Sequence, residues 1–440
     1  MKNPFLELTR GKQVGFFGIG RSNRALMELM ASEGREVTLR DERKIDLSGI
    51  PKGLRVSEIY EGEAACQGID EDILITSPSV RRERLGVPEK AVTITSDFEI
   101  FLRYNEKPTY LVTGSDGKTT TATLASRILG ENFPAIGNIG EPMTPHLTDG
   151  ARGYVIEASS FMLEYTQPIS RRAVITSFSE NHLNWHKSLS EYRAAKLNAI
   201  ARTEEAIVSL DSPLFYPFEG KKLFALTAMS DLGKARMKDI SAEFYYDVDG
   251  GYVRENGRRL IAIADLKRRE DYNIKNYMSA IALTRGEVHE ERAISVIADF
   301  SGVAHRGEIF LYRAGVTFIN SSIDTTPART IATLSGFDGG VILLLGGSDK
   351  GLDFSPLARA VAERGDRVIA FGETANKIKA AMPKETVKVC QGLSEAVGVA
   401  LALAKENNTV LLSPASASYD EFSNFEERGE AFKRWILEGF

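Results

Sequence analysis

Tyr110-Leu111-Val112-Thr113-Gly114-Ser115-Asp116-Gly117-Lys118-Thr119-Thr120-Thr121 is the stretch on which the reading of this chain turns. A short apolar run ends in a loop bracketed by two glycines. The loop closes on Lys-Thr, and helical spacing follows through Leu124 and Ile128. Strand, tight loop and helix in that order make a phosphate cradle. The loop N–H groups and the helix N-terminus converge on one point, and the helix dipole favours an anion there. Gly114, Ser115, Asp116, Gly117, Lys118, Thr119 and Thr120 are the candidate nucleotide contacts. Lys118 can reach outer phosphates and the Thr119 hydroxyl can ligate Mg²⁺. The full P-loop pattern asks for glycine where Val112 stands, so the motif here is the shorter G-x-x-G-K-T. An ordinary strand-to-helix turn uses the same residues, and the rest of the chain has to separate the two readings.

At 440 residues, and ~100–200 residues per domain, the chain predicts two to four domains, with three the central expectation. An apolar fraction of 43% is enough for packed cores. A net charge of -5 argues against a general nucleic-acid binder. Two cysteines, Cys66 and Cys390, lie far apart in sequence. They suit a reducing compartment and exclude a disulfide scaffold or a multi-cysteine zinc site. The first residues carry no apolar signal core. The longest apolar run, Ala396 to Ala404, is far short of the ~18 residues of a membrane span. The expectation is a soluble cytoplasmic protein with no membrane or nucleic-acid partner.

Val14 to Gly20 reads as a buried strand entering a turn, Arg24 to Ser32 as a helix, and Val37 to Leu39 as a strand ending at Asp41. This is a βαβ opening. The dinucleotide pattern G-x-G-x-x-G has Asn23 in place of its third glycine. An NAD site, a plain βα turn, and a mononucleotide or nucleotide-sugar head group all remain open at this crevice. Ile73 to Thr76 is a strand followed by a Ser77-Pro78-Ser79 turn, and Asp97 to Tyr104 a short helix. A domain boundary falls near Asp97.

Gly137-Asn138-Ile139-Gly140 suits a loop pressed against a ligand, or an ordinary turn. The strand Tyr154 to Ile156 runs into Glu157-Ala158-Ser159-Ser160-Phe161. A carboxylate at the carboxyl end of a parallel strand is placed to hold Mg²⁺, or is a solvated loop acid. His182 and His186, two of only five histidines, follow the strand Ala173 to Thr176. Zinc would need a third ligand that is not nearby. A Mg²⁺ ligand, a contact to a transferring phosphate and a structural histidine stay open, the last more for His186. Lys196 rides a helix that returns to this region. Antiparallel strands are expected around Phe244 to Tyr246 and Tyr252-Val253. Asn273 and Asn276 precede a helix from Met278, either turned to an adenine edge or capping the helix. From Ser301 a further βα alternation runs through Val316 to Ile319, Val341 to Leu345, Val368 to Phe371 and Val410 to Leu412.

Together these motifs resemble the Mur ligase family, on its D-glutamate-adding branch. The resemblance rests on Gly114 to Thr119, Gly137 to Gly140, Glu157 to Glu164, Tyr192 to Lys196, Ala304-His305-Arg306, Gly346-Gly347 and the tail Ser413 to Gly429. It implies three domains: a Rossmann-like UDP-substrate domain (1–97), a central P-loop-type ATPase domain on a mostly parallel sheet (98–301), and a Rossmann-like α/β amino-acid domain (302–440). It implies an ATP-dependent, ADP-forming ligase, monomeric, with UDP-N-acetylmuramoyl-L-alanine and D-glutamate as substrates and two Mg²⁺ sites. Lys118, His182 and Lys196 would be catalytic. Thr119, Glu157, His182 and Lys196 (as a carbamate) would hold metal. Asn276 and Arg306 would hold adenine and ribose. Gly20, Arg21, Ser22, Asp41, Arg43, Asn138 and Ser159 would contact the UDP substrate, and Thr325, Lys350, Ser418 and Phe425 the amino acid. The chain departs from the family at Asn181 and Asn184, where acids are common, at Met162 for a Gln, at Ser321 for an Asp, and at Ile323 for a Lys of some members. Asp324 is a candidate replacement for the missing acid. A ligase for another amino acid or acyl substrate, or a weakened nucleotide-binding homologue, are the rival readings.

Overall fold

The computed structural model describes residues 3–86, 92–180, 182, 185–212, 223–337, 339–349, 351–382 and 387–439. The chain divides into two compact units, Met1–Asp299 and Phe300–Phe440. Three sheets form the framework, two in the first unit and one in the second.

The first sheet contains β1 (Val14–Phe17), β2 (Glu36–Asp41), β3 (Arg55–Glu61), β4 (Ile73–Thr76) and β5 (Thr93–Thr95). Its order is β3-β2-β1-β4-β5 and every pairing is parallel. The order reverses between β1 and β4, so the crevice opens beyond their carboxyl ends. The second sheet contains β6 (Thr109–Thr113), β7 (Ala135–Gly137), β8 (Tyr154–Glu157), β9 (Arg172–Ile175), β10 (Glu205–Ser209), β11 (Leu223–Ala228), β12 (Ala242–Asp249), β13 (Tyr252–Glu255) and β14 (Arg258–Ala262). Its order is β14-β13-β12-β11-β10-β9-β6-β8-β7, parallel except for the β12-β13-β14 meander. The switch point is at β6, between β8 and β9. The third sheet contains β15 (Glu308–Arg313), β16 (Val316–Asn320), β17 (Val341–Gly346), β18 (Arg367–Phe371), β19 (Val387–Val389) and β20 (Thr409–Leu412), in the order β15-β16-β20-β17-β18-β19. Only β15 runs antiparallel.

The helices of the first unit are α1 (Pro4–Leu8), α2 (Arg21–Ala31), α3 (Asp97–Tyr104), α4 (Lys118–Leu129), α5 (Ser160–Leu163), α6 (Leu189–Ala201), α7 (Asp231–Met237), α8 (Asp271–Thr284) and α9 (Glu290–Ala298). Those of the second are α10 (Pro327–Leu334), α11 (Ser355–Arg364), α12 (Ala375–Ala381), α13 (Leu393–Leu403) and α14 (Phe425–Glu438). Local chemistry sets several starts. Ser96, Ser188 and Asn424 each accept the N–H of a glutamate three residues on, at Glu99, Glu191 and Glu427. A polar N-cap followed by glutamate satisfies orphan donors at a helix start. All four residues of β1, β4, β8 and β9, and all five of β6, are buried. Continuous apolar strands are what a sheet covered on both faces requires.

The expected α/β alternation and the Asp97 to Tyr104 helix are present. The helix expected from Met278 begins earlier, at Asp271, with Glu270 at the N-cap. Asn273 and Asn276 therefore do not cap it. Both are buried inside the first turns, and Asn273 donates to the Glu270 carboxylate at 2.9 Å. Among the described residues no helix is long and apolar enough to cross a membrane.

Candidate functional site

The loop after β6 is stitched to the chain after β9. Ser115 N–H donates to Ser177 O at 3.0 Å, Asp116 N–H to Ser177 Oγ at 2.9 Å, and Ser115 Oγ to Ser179 O at 3.0 Å. The two bracketing glycines are sterically required. Gly114 has φ 151°, and a Cβ there would lie 2.1 Å from Thr176 Oγ1. Gly117 has φ 81°, and a Cβ there would lie 2.2 Å from Asn276 Oδ1. The left-handed backbone and the close approach leave room only for hydrogen. α8 thus brings Asn276 against the loop that starts α4, although 159 residues separate it from Gly117 in the sequence.

Lys118 Nζ donates to Gly114 O at 2.9 Å and Ser115 O at 2.8 Å. Lys196, from the middle of α6, donates to the same Gly114 O at 2.8 Å and is 1% exposed. Two amines converge on one carbonyl. Burial pushes the Lys196 ammonium well below its ordinary range, and the Lys118 charge adds to the shift. Glu157 closes β8 with 1% exposure. Its Oε1 accepts Asn138 Nδ2 at 2.6 Å, and its Oε2 is buried with no partner.

His182 adopts φ 55° and packs edge-on to Phe161, ring centroids 4.9 Å apart. Burial, then Lys118 and Lys196, lowers its affinity for a proton. His186 is 1% exposed, with Nε2 3.0 Å from Ser160 Oγ and Nδ1 3.4 Å from Glu164 Oε2. It is a structural histidine. Burial drives its pKa from 6.5 to about 4. The unfolded chain binds this proton below about 6.5 and the folded chain only near 4. His186 therefore costs no stability above pH 6.5 and an increasing amount as pH falls to 4. The slope is at most about 1.4 kcal/mol per pH unit. In urea unfolding across pH 4 to 7, the His186→Gln variant is expected to lose that share of the acid sensitivity. Equal slopes in both proteins would refute the assignment.

A cavity of about 760 Å³ lies in the first unit, beyond β1 and β4. It is lined by Gly20, Arg21, Ser22, Asp41, Arg43, Asn138 and Ser159, so the structure gathers all seven residues expected around the UDP substrate. Asp41 ties the crevice together, accepting Ile19 N–H at 3.1 Å and Arg43 N–H at 2.9 Å. Asn23, at the missing third glycine, donates to Phe17 O, Gly18 O and Ile75 O, which makes it a strut of the βα turn. The cavity reaches Asn138, whose amide holds Glu157, so it adjoins the phosphate-loop region. Sequence reasoning did not assign Arg81, Phe161 and Trp185, which also line it. The Ser77-Pro78-Ser79 turn at a switch-point strand was the available signal for Arg81.

Among the described residues no group of three or more His, Cys, Asp or Glu is arranged to hold a metal ion. The orphaned Glu157 oxygen, at the carboxyl end of β8 in the strand pair β6-β8, is nevertheless a hard oxygen donor of the kind Mg²⁺ takes.

In the second unit, Arg306 is exposed, Ser418 is buried, and Phe425 begins α14, its carbonyl accepting Ser322 Oγ at 2.8 Å. Thr325 is half-buried. Lys350, Asn181 and Asn184 lie outside the described residues. Asp324 is not the spare acid expected of it. Its Oδ2 accepts Thr333 Oγ1 at 2.7 Å and Ser413 Oγ at 2.8 Å inside the fold. Ser321 is likewise structural, its hydroxyl accepting Gly307 N–H at 3.1 Å.

Two family models match the chain: the Mur ligase middle domain over residues 112–284, and the Mur ligase glutamate ligase domain over 305–416. Curated relatives match nearly end to end. The UDP-N-acetylmuramoylalanine–D-glutamate ligase of Ruminiclostridium cellulolyticum is 32% identical, covering 98% of each chain. That of Clostridium perfringens is 34% identical over 99% of this chain and 98% of its own. Among solved structures, UDP-N-acetylmuramate-alanine ligase of Thermotoga maritima shares the fold at TM-score 0.54 and 18% identity, covering 98% of this chain and 100% of its own. With the phosphate loop, Lys196, Glu157 and the seven-residue crevice assembled as described, this end-to-end similarity makes the chain an enzyme of the Mur ligase family.

Proposed function

We propose that the chain is the ATP-dependent, ADP-forming ligase that joins D-glutamate to UDP-N-acetylmuramoyl-L-alanine in peptidoglycan precursor synthesis. The observation that carries this reading is the shared residue Asn138. It lines the crevice that gathers the UDP-substrate residues, and it donates to Glu157 beside the phosphate loop. A nucleotide-linked acyl substrate and a nucleotide phosphate can thus meet at one seam.

In this proposal the loop Gly114 to Thr120 receives the ATP phosphates, with Lys118 on the outer ones and Asn276 and Arg306 at adenine and ribose. Thr119 and the unpartnered Glu157 oxygen would hold one Mg²⁺, and His182 and Lys196 would hold a second. Bound there, Mg²⁺ would neutralise phosphate charge. Burial, with the Lys118 charge beside it, disfavours the charged form of the Lys196 amine. The amine can add to carbon dioxide, releasing one proton and leaving a carbamate that ligates as a carboxylate does. The substrate carboxylate attacks the outer phosphorus of ATP, and ADP leaves from an acyl phosphate. The D-glutamate amine then attacks the acyl carbon, loses a proton and expels phosphate. Positioning and charge neutralisation do the catalytic work, and no protein nucleophile is required. Thr325, Lys350, Ser418 and Phe425 form the amino-acid site of a monomeric cytoplasmic enzyme, in three domains split near residues 97 and 301.

The expected result is ADP and phosphate release that requires both UDP-N-acetylmuramoyl-L-alanine and D-glutamate. Turnover with another amino acid in place of D-glutamate would overturn the specificity and keep the mechanism. Folded, ATP-binding protein that is silent throughout would overturn the ligase reading.

A further inference from the structure

Four arginines line the 760 Å³ cavity: Arg21, Arg43, Arg81 and Arg84. Three of them have a partner within the protein. Arg84 pairs with Glu42 at 2.8 Å, Arg43 with Asp41 at 3.4 Å, and Arg21 donates to Asn138 O at 3.4 Å. Among the described residues the Arg81 guanidinium makes no salt bridge or hydrogen bond, and its charge acts on the Glu164 carboxyl only at longer range. It lies over the Trp185 ring, 5.0 Å from the centroid, and is half-buried.

Its mount is rigid. Trp185 Nε1 donates to Ser79 O at 3.0 Å, two residues from Arg81. The Trp185 ring packs on Phe161 at 4.6 Å and His186 at 4.7 Å. On the other side, Arg82 N–H donates to Tyr165 Oη at 3.1 Å and the Arg82 side chain pairs with Glu99. The β4 loop is therefore fastened at positions 79 and 82, and Arg81 between them faces the cavity. A guanidinium stacked on an aromatic face keeps its in-plane donors free for an anion. The same cavity holds Gly20 and Arg21 at the start of α2, an eleven-residue helix whose N-cap glycine offers no side-chain oxygen. Its first N–H groups favour an anion at the same place.

We propose that Arg81 binds the diphosphate of the UDP-linked substrate across the cavity from the α2 N-terminus, and that Trp185 is a positioning residue that holds the Arg81 guanidinium. This rests on the reading of the cavity as the UDP-substrate site.

The test is calorimetric binding of two probes, UDP and UDP-N-acetylmuramoyl-L-alanine, to the full chain. The proteins are wild type, Arg81→Ala, Arg81→Lys, Trp185→Phe, Trp185→Ala and the double variant Arg81→Ala/Trp185→Ala. Arg81→Ala is expected to weaken both probes by the same factor, about tenfold to a hundredfold. Arg81→Lys should recover part of it. In turnover, KM for the UDP substrate should rise while kcat and the KM for ATP stay within about twofold, the signature of lost uniform binding. Trp185→Ala should weaken both probes and add nothing to Arg81→Ala, with Trp185→Phe milder. Loss confined to the full substrate would assign Arg81 to the acyl arm and overturn the proposal, as would unchanged affinity for both. Wild-type protein that binds neither probe would sink the reading of the cavity itself, a result separable from the behaviour of Arg81. Thermal melts of each variant separate binding loss from misfolding.

Discussion

The Lys196→Met variant is expected to lose turnover by on the order of a hundredfold to a thousandfold while its melting temperature stays level or rises. The two halves of that result come from one geometry. Lys196 is 1% exposed, and its amine shares the Gly114 carbonyl with Lys118. Taking away a charged or ligating group at the reacting centre typically costs about 10²–10³ in kcat. The stability half follows from linkage. The folded Lys196 titrates well below the unfolded value of 10.5. A group depressed in this way is penalty-free above its unfolded pKa, and stability is lost as pH falls below it. At neutral pH the buried amine therefore costs stability, and methionine, close in shape, removes that cost. Gly114 O keeps its bond from Lys118, so no buried acceptor is orphaned. Trading stability for function is common where a site holds a group its surroundings disfavour. Kinetic assays beside thermal unfolding check both halves. A ¹³C carbamate signal present in wild type fed labelled bicarbonate, and missing from Lys196→Met, would check the chemistry directly. A variant that melts much lower, or still turns over, would overturn this account of Lys196.

The largest stability loss is expected at Arg428, on α14. This arginine is fully buried and holds the ends of the third sheet together. Its guanidinium donates to Ser322 O at 2.9 Å, Ser322 Oγ at 3.0 Å, Ser416 O at 3.1 Å and Ala417 O at 2.8 Å. Ser322 follows β16, and Ser416 and Ala417 follow β20, so a single side chain ties two loops at the carboxyl edge of the sheet. Burial lowers its pKa to about 10, which still leaves it charged at neutral pH. Arg428→Ala would leave the Ser322 and Ser416 carbonyls dry and unpaired, while Ala417 O keeps Ser348 N–H at 3.0 Å and Ser322 Oγ keeps Phe425 O at 2.8 Å. Each such group costs about 1–3 kcal/mol, not additively, and breaking a buried charged network about 3–5. The expected loss is about 4 kcal/mol. Arg428→Lys should rescue little, because one ammonium cannot span acceptors set out for a planar fork. Urea unfolding checks this, and a loss below about 1 kcal/mol would contradict the network's role.

The chain's local chemistry was enough to place the glycine-bracketed loop between strand and helix, because its glycines, lysine and threonine sit within six consecutive residues. It was enough for the parallel α/β class too, since strands buried on both faces must be continuously apolar. The crevice residues were also legible, as they follow the ends of strands that the βαβ pattern orders. Three-dimensional packing had to supply the rest. Lys196 and Glu191 ride the same helix in the sequence, and only the folded position separates a buried amine on Gly114 O from a half-buried carboxylate. Asp324 has the composition of a spare acid, yet hydroxyls from Thr333 and Ser413 occupy its Oδ2. Arg81 and Trp185 are 104 residues apart in the sequence, and no local rule pairs them. Their contact arises because β4 and the chain beyond β9 deliver their loops to one cavity. Motifs and periodicity act over a few residues of chain, whereas burial, desolvation and charge pairing act across space, so the roles of these side chains emerge only once the sheets are assembled.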